Sequence, residues 1–172
     1  MSASLDELLP GGPVLLDGAM GTALREHGWP VSEATVLVDG RSVAAIEHGL
    51  LVYLGVAADD GDADLTYIVD KVRHLRIFSD ESERLNLDVA QVSGKVLVVS
   101  AFTVQADARH GRRPSFESAA APDRARVLYE LFCDALVRSG LTVQRGSFGA
   151  MMAVQSVNAG PVCVLLDSRK TF

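Results

Sequence analysis

The chain has 172 residues, a formal net charge of −6 and 48% hydrophobic residues. This length suits one domain with a single buried core, and the negative charge excludes a global positive field that attracts nucleic acid. No apolar run approaches the roughly 18 residues of a membrane helix, and no secretory signal opens the sequence, so we expect a cytoplasmic protein without a membrane partner.

Residues 1–32 form an atypical N-terminal segment. Val14–Leu16 is a candidate short strand and Ala23–His27 a candidate short helix. The run Leu16–Thr22 resembles the opening of the homocysteine S-methyltransferases, a likeness that extends over residues 13–30. Those enzymes are far larger barrels with a zinc site built from cysteines, so the resemblance is local.

A clearer pattern begins at Glu33. Thr35–Val38 is rich in β-formers, and Asp39-Gly40 is a strong signal for a two-residue hairpin turn. We therefore predict a return strand over Ser42–Ile46. Gly49–Val56 follows as a continuous apolar run that predicts a strand buried on both faces.

The middle of the chain predicts a helix between strands. Apolar residues recur at helical spacing over residues 62–75, which predicts an amphipathic helix. Arg76–Phe78 favours a short strand. Gly94–Val104 is a second run of the buried-strand type.

The last third predicts a second helix and three more strands. An apolar stripe spans Val127–Leu136, with Pro122 suited to the first turn and Gly140 to the C-terminal cap. The strand-like segments are Leu141–Val143, Val154–Val157 and Val162–Leu166. The elements together predict an α+β fold with a largely antiparallel, barrel-like sheet and two main helices, and the exposed strand edges favour a homodimer.

The chain offers no evident metal site. Cys133 and Cys163 lie in apolar patterns, without the CxxC or Cys/His spacing of zinc sites, and are interpreted as reduced core residues. We expect neither a metal nor a cofactor.

Three stretches carry candidate chemistry. Gly160-Pro161 separates two apolar runs and suits a site that recognises its ligand with backbone atoms, although a plain hairpin turn is the alternative. Ser100–Thr103 ends an apolar run and offers two hydroxyls, with an ordinary strand end as the alternative. Arg109–Arg113 is the only dense basic cluster, and its alternative is a solvated loop.

From Glu33 onward the order of motifs resembles the D-aminoacyl-tRNA deacylase family. The resemblance covers about 140 of the 172 residues and predicts one deacylase-like domain over residues 33–172. It rests on Gly49–Val56, Asp70-Lys71 with Leu75–Phe78, Val96–Thr103, Gly111–Phe116, Phe148–Ala150 with Met152, and Asn158–Val162.

The resemblance implies a homodimeric hydrolase that cleaves the ester between a D-amino acid, or glycine, and the 3′ end of tRNA. It implies that Gly160 and Pro161, joined by a cis bond, enter the partner subunit's site and select chirality with support from Asn158. The implied catalytic stretch is Ser100, Ala101, Phe102 and Thr103, with oxyanion donors at the amides of Ala101 and Phe102 and help from the 2′-hydroxyl of the tRNA. The implied adenosine and tRNA contacts are Phe148, Gly149, Met152, Arg109, Arg112 and Arg113. Aminoacyl-tRNA is the expected partner, and DNA is not.

The sequence departs from the family pattern at three places. Ala101 stands where the family has glutamine, Cys163 stands where threonine is usual, and residues 1–32 replace an N-terminal strand whose arginine helps to hold the Gly-Pro loop. These departures leave two alternatives: a weakened relative that only binds tRNA ends, and a deacylase with relaxed chirality that acts on L-alanine-mischarged tRNA.

Overall fold

The structure is a computed structural model that describes residues 33–171. Eight strands and two α-helices follow one another along this part of the chain. The strands are β1 (Glu33–Val38), β2 (Arg41–Ile46), β3 (Gly49–Leu54), β4 (Phe78–Ser79), β5 (Leu85–Leu87), β6 (Lys95–Ser100), β7 (Thr142–Arg145) and β8 (Met152–Val157). The helices are α1 (Asp62–His74) and α2 (Pro122–Arg138), and Phe102–Gln105 is a short 3-10 helix. The strand and helix predicted at Val14–Leu16 and Ala23–His27 lie outside the described residues.

The first hairpin is confirmed. β1 and β2 pair antiparallel across the Asp39-Gly40 turn. Both turn residues have positive φ, 50° at Asp39 and 73° at Gly40. This is the backbone that a tight two-residue hairpin requires, and it explains why an Asp-Gly pair marks the turn.

Both predicted helices are confirmed. Asp64 accepts a hydrogen bond from the amide of Gly61 at 2.9 Å, which satisfies a donor that would otherwise be unpaired at the start of α1. Pro122 stands in the first turn of α2, where its missing donor costs nothing. The apolar stripe of α2 buries Tyr129, Phe132, Cys133 and Leu136.

The predicted α+β class is correct, but the predicted sheet is wrong in part. The described strands form an antiparallel sheet in the order β2-β1-β8, a parallel sheet in the order β3-β6-β7, and a small antiparallel pair of β4 and β5. None of these sheets closes into a barrel. The parallel sheet arises because α1 and α2 lie on crossover connections, which return the chain to the same end of the sheet before the next strand begins.

Strand β6 is buried on both faces and links two cores. Val96 and Val98 belong to a cluster shared with the helices, including Phe132 and Leu136 of α2. Leu97 and Val99 point the other way, into a cluster with residues of the antiparallel sheet. Helices, parallel sheet and antiparallel sheet therefore stack as layers, with the end of β6 held from both sides.

Several predicted strands change in extent, and one predicted strand is absent from the described residues. β6 ends at Ser100, and the chain then turns into the 3-10 helix instead of extending to Val104. The strand predicted at Arg76–Phe78 is confined to Phe78–Ser79. Val162–Leu166 is not a strand, because no strand of the described chain lies beside it to accept its backbone hydrogen bonds, and Leu165 is 78% exposed.

Within residues 33–171, none of the helices combines the length and apolar character needed to cross a membrane.

Candidate active site

The carboxyl ends of the parallel strands define one edge of the fold. β3, β6 and β7 pair in register and end at Leu54, Ser100 and Arg145. Ligands of open α/β sheets bind in the crevice outside such carboxyl ends. The structure therefore places the predicted stretch Ser100–Thr103 where a site is expected on topological grounds.

The turn after β6 is fixed by backbone hydrogen bonds. The amide of Ala101 donates to the carbonyl of Leu54 at 2.9 Å, and the amide of Val104 donates to the carbonyl of Ala101 at 3.1 Å. Within residues 33–171, the amides of Phe102 and Thr103 have no acceptor. The amide of Ala101 is thus already engaged, so the free donors are those of Phe102 and Thr103, one residue later than the sequence indicates.

Gly55 allows this turn to lie directly on the end of β3. A Cβ at Gly55 would stand 2.8 Å from the Cβ of Val104 and 3.2 Å from the carbonyl oxygen of Ala101. Atoms at the first distance overlap, so only glycine fits without a shift. The close approach of these two segments sets the position of the free amides.

Tyr129 of α2 supports the same sheet edge from the side of the helix. It was not identified from the sequence. Its hydroxyl donates to the carbonyl of Val98 at 3.0 Å and lies 3.4 Å from that of Gly146. It therefore connects the C-terminal half of strand β6 to the residue that follows β7. Burial raises the pKa of Tyr129 above its ordinary value, which keeps the hydroxyl a neutral donor. Tyr129 was not among the residues of the predicted apolar stripe, and the hydroxyl at its tip was the available signal.

Phe148, Gly149 and Met152 lie beyond the end of β7. The ring of Phe148 lies 5.6 Å from that of Tyr129 on one side, and the guanidinium of Arg126 lies 4.6 Å from its centre. Met152 begins β8, and its sulfur would meet a Cβ added at Gly146 at 2.8 Å. The predicted Phe148–Met152 stretch is therefore next to the sheet edge.

The predicted basic cluster lies in the loop that follows the 3-10 helix. Asp107 and Ser115 close this loop with two backbone hydrogen bonds of 2.8 and 2.9 Å. Arg109 folds onto Asp107, with nitrogen–oxygen distances of 2.9 and 2.7 Å, and this guanidinium holds the pKa of the Asp107 carboxyl well below its usual range. Arg112 and Arg113 are exposed and form no ion pair within the described chain. Two of the three predicted arginines are thus free to meet an anion.

The Gly160-Pro161 loop is well organised but does not have the expected isomer. No peptide bond within residues 33–171 is cis, so the expectation of a cis bond before Pro161 is wrong for this structure. The trans form is the physical default, because nothing in the single chain covers these exposed residues and the cis form costs about 0.5–1 kcal/mol even before proline. No hydrogen bond joins the loop to Ser100–Thr103 within the described chain.

Asn158 ties this loop together. Its side-chain oxygen accepts from the amide of Val162 at 3.2 Å, and its nitrogen donates to the carbonyl of Val162 at 3.2 Å and contacts the sulfur of Cys163 at 3.3 Å. Asn158 therefore holds the backbone on both sides of Gly160-Pro161 in one local arrangement.

Two of the three described histidines have partners away from Thr103. Nε2 of His48 lies 3.2 Å from the carbonyl of Val92, and Nδ1 of His74 lies 3.0 Å from Asp70. His110 is exposed in the basic loop. The polar groups at the sheet edge are therefore backbone amides and hydroxyls, and amides of this kind stabilise a developing oxyanion.

The fold and this edge define an α+β protein whose parallel-sheet edge carries unpaired backbone donors. A family model described as D-Tyr-tRNA(Tyr) deacylase matches residues 30–167. A D-aminoacyl-tRNA deacylase from Koribacter versatilis is 52% identical over 142 residues, which are 83% of this chain and 95% of the relative. One from Anaeromyxobacter dehalogenans is 53% identical over the same shares. The chain belongs to this deacylase family.

Two solved structures are similar in fold. One is named c-Myc DNA Unwinding Element Binding Protein, with a TM-score of 0.73 and 34% identity over 78% of this chain and 91% of that one. The other is a probable eukaryotic D-amino acid tRNA deacylase, with a TM-score of 0.63 and 18% identity over 76% of this chain and 91% of that one. The second likeness concerns the fold alone.

Proposed function

We propose that this protein hydrolyses the ester that joins a D-amino acid, or a mischarged glycine, to the 3′-terminal adenosine of tRNA. The observation that carries the proposal is the identity of about half the residues with D-aminoacyl-tRNA deacylases across 95% of their length. The protein thereby clears wrongly charged tRNA before it reaches translation.

The chemistry uses the backbone at the end of β6. Water adds to the ester carbonyl, the bond from carbonyl carbon to the ribose oxygen breaks, and that oxygen leaves with a proton. The free amides of Phe102 and Thr103 stabilise the oxyanion, since donors fixed in advance favour the transition state. The hydroxyl of Thr103 positions the substrate, Ser100 braces the strand end, and the 2′-hydroxyl of the terminal ribose assists the proton transfer.

Chirality is selected by Gly160 and Pro161 of a second copy of the chain. Their carbonyl oxygens accept hydrogen bonds from the α-ammonium group of the substrate and leave no room for an L side chain. Glycine, which has no side chain, passes this filter. Asn158 supports the arrangement because it bonds both backbone groups of Val162, directly after the filter.

Exposed apolar side chains support a homodimer. Leu165, four residues after Pro161, is 78% exposed, and Met151, at the opposite end of β8, is 92% exposed, so both are open to contact with another chain. A second copy that covers Leu165 also brings its own Gly160-Pro161 loop to the sheet edge.

The acceptor end of the tRNA lies along the same edge. Phe148, Gly149 and Met152 border the terminal adenosine, and Arg112 and Arg113 contact phosphates of the backbone. Arg109 shapes the loop through Asp107 and contributes its remaining donors.

The activity is tested with four substrates: D-Tyr-tRNA, Gly-tRNA, L-Ala-tRNA and L-Tyr-tRNA, with ester loss followed over time. We expect turnover of the first two and no turnover of L-Tyr-tRNA. Absence of turnover with every substrate contradicts the enzymatic function, and turnover of L-Ala-tRNA with D-Tyr-tRNA spared contradicts the chiral preference.

The dimeric filter is tested by mixing two inactive variants, Thr103→Ala and Gly160→Ala. If the loop acts in the partner's site, a mixed dimer contains one intact site served by one intact loop, so activity returns on mixing. If the loop acts in its own chain, each protomer carries one defect and mixing restores nothing.

A tRNA-end-binding protein without chiral turnover is the second candidate. Ala101, which stands where the family has glutamine, and residues 1–32, which replace the family's first strand, motivate it. If the protein binds uncharged tRNA tightly and hydrolyses none of the four charged tRNAs, it is a binding protein and not a deacylase. A single-stranded DNA of the same sequence as the acceptor end is the control for RNA preference, since one solved relative is named a DNA-binding protein.

A further inference from the structure

Phe102 has an unusual combination of a fixed backbone and an exposed ring. Its neighbours Ala101 and Val104 are held by hydrogen bonds of 2.9 and 3.1 Å, yet the residue is 60% exposed. A large apolar ring that is held rigidly in water is a more informative feature than an isolated exposed leucine. The ring is thus available to a ligand, and binding loses little backbone entropy because hydrogen bonds already hold the backbone on both sides of Phe102.

Phe116 orients this ring. The two ring centres are 5.1 Å apart, with the planes inclined by 72°, which is an edge-to-face pair. Phe116 is itself partly buried, and its carbonyl accepts from the amide of Ala119 at 3.0 Å. An edge-to-face neighbour covers at most one face of Phe102, so the other face stays open.

Phe148, by contrast, has little free surface for stacking. Its ring packs against the core on the Tyr129 side, and the guanidinium of Arg126 lies over it at 4.6 Å. A flat ligand gains a face of Phe148 only by displacing Arg126. Of the two rings at this edge, Phe102 is therefore the better stacking surface.

Positive charge that no carboxylate neutralises accompanies the Phe102–Phe116 pair. Phe116 follows Ser115, which closes the basic loop, and Arg112 and Arg113 in that loop form no ion pair within residues 33–171. The chain as a whole has a net charge of −6, so this positive charge is local. An aromatic face whose neighbour Phe116 lies three and four residues after the unpaired arginines suits a nucleobase with its flanking phosphates.

We propose that the open face of Phe102 stacks on an unpaired base of the tRNA 3′ end while Arg112 and Arg113 hold the adjacent phosphates. The proposal rests on the proposed function and adds a base-recognition residue to it. Phe148 then shapes the adenosine pocket from its edge and does not stack on the base.

A double-mutant cycle, which combines Phe102 variants with RNA probes that lack one base, tests the stacking of Phe102 on a base. The probes are fluorescent uncharged RNA hairpins that end in the unpaired CCA sequence, either intact or with one of the three bases removed. We expect Phe102→Ala to weaken binding of the intact probe about 10-fold, and Phe102→Trp to retain binding, because stacking contributes comparably with either ring. On the probe that lacks the stacked base, Phe102→Ala has no further effect.

Two outcomes overturn the proposal. The first is an equal loss for Phe102→Ala on the intact probe and on all three base-free probes, because the ring then acts through the protein and not through a base. The second is a change of oligomeric state in Phe102→Ala, measured by light scattering, together with intact binding by the remaining monomer, because the ring then belongs to the subunit interface.

The phosphate contacts have their own measurement. The double variant Arg112→Ala/Arg113→Ala should reduce the slope of log Kd against log salt by roughly 1.4, since about 0.7 counterion is released per phosphate on single strands. Arg41→Ala, which removes an exposed charge at the first hairpin, is the matched control and should leave the slope unchanged. An unchanged slope in the double variant contradicts the phosphate contacts.

Binding to uncharged RNA needs no hydrolysis, so the stack and the proposed function fail separately. Turnover of D-Tyr-tRNA without coupling between Phe102 and a base overturns the stack alone. Coupling without turnover of any charged tRNA overturns the deacylase function alone.

Discussion

Gly55→Ala is the substitution that most directly tests how the candidate site is positioned. The added Cβ would stand 2.8 Å from the Cβ of Val104 and 3.2 Å from the carbonyl oxygen of Ala101. An ordinary contact between carbon atoms is about 3.5–4.0 Å, so β3 and the turn after β6 must separate by about 1 Å. The atoms in conflict are a Cβ and a main-chain oxygen, which cannot rotate out of the way.

The separation moves the free amides of Phe102 and Thr103 with the turn. A misplacement of about 1 Å costs roughly 100-fold in rate when catalysis depends on fixed geometry. Overpacking at such a contact costs about 1–3 kcal/mol of stability, which lowers the melting temperature without unfolding the protein. We therefore expect kcat for D-Tyr-tRNA to fall about 100-fold while the variant remains folded.

The assay is single-turnover hydrolysis of D-Tyr-tRNA at saturating enzyme, with circular dichroism to monitor folding. Gly61→Ala is the matched control, because a Cβ at Gly61 meets nothing within 4 Å and Gly61 lies on the same connection after β3. Full activity in Gly55→Ala, or an equal loss in both variants, would refute the argument that close contact with β3 sets the position of the amides.

Three further predictions concern the surroundings of the site. Tyr129→Phe should lower the free energy of unfolding by about 1 kcal/mol, or about 2–4 °C in Tm, because the carbonyl of Val98 loses the hydroxyl that donates to it at 3.0 Å, whereas Tyr67→Phe on α1 should have no such effect. Burial raises the pKa of the Cys133 thiol to about 11, so its contribution to stability is complete below the ordinary thiol pKa and is lost as pH rises through about 11; denaturant titrations from pH 8 to 11 should show a decline that is smaller by about 2 kcal/mol in Cys133→Ala. Asn158→Ala removes the bonds to Val162 and Cys163 and should reduce the preference for D- over L-Tyr-tRNA by about 10-fold with little change in Tm, and an unchanged preference contradicts the supporting role of Asn158.

The parts of the fold that the sequence predicts well are those whose signals are local. The Asp39-Gly40 turn is specified by two adjacent residues that tolerate positive φ. Helix α2 is specified by a proline in its first turn and an apolar stripe of helical period. Each signal acts within a few residues, so it survives in the folded protein whatever the rest of the chain does.

The sheet arrangement was not predictable in the same way. Whether β3, β6 and β7 run parallel depends on where α1 and α2 return the chain, and no pair of neighbouring residues encodes this direction. Val162–Leu166 has the composition of a strand, but a strand also requires a neighbour for its hydrogen bonds. The composition of a segment shows whether its residues suit a strand, but it does not show whether a neighbouring strand is present.

The candidate site likewise has a part that the sequence predicts and a part that it does not. Ser100–Thr103 is a candidate because two hydroxyls end an apolar run and because the order of motifs resembles the deacylase family, and the stretch lies at the sheet edge. The engagement of the Ala101 amide and the clamp made by Tyr129 were not found, because both depend on which carbonyl lies opposite. A pattern in one dimension identifies polar groups but not their partners.

The alanine at position 101 is compatible with an active site for the same reason. Ala101 contributes its amide to Leu54 and its carbonyl to Val104, and both groups are independent of the side chain. The free donors on Phe102 and Thr103 are also backbone groups, so the loss of a glutamine side chain leaves their geometry intact. A site built from backbone tolerates changes of side chain, but it does not tolerate a displaced turn. Its sensitive position is therefore Gly55, where one added carbon moves the turn, and not Ala101, where the family residue is absent.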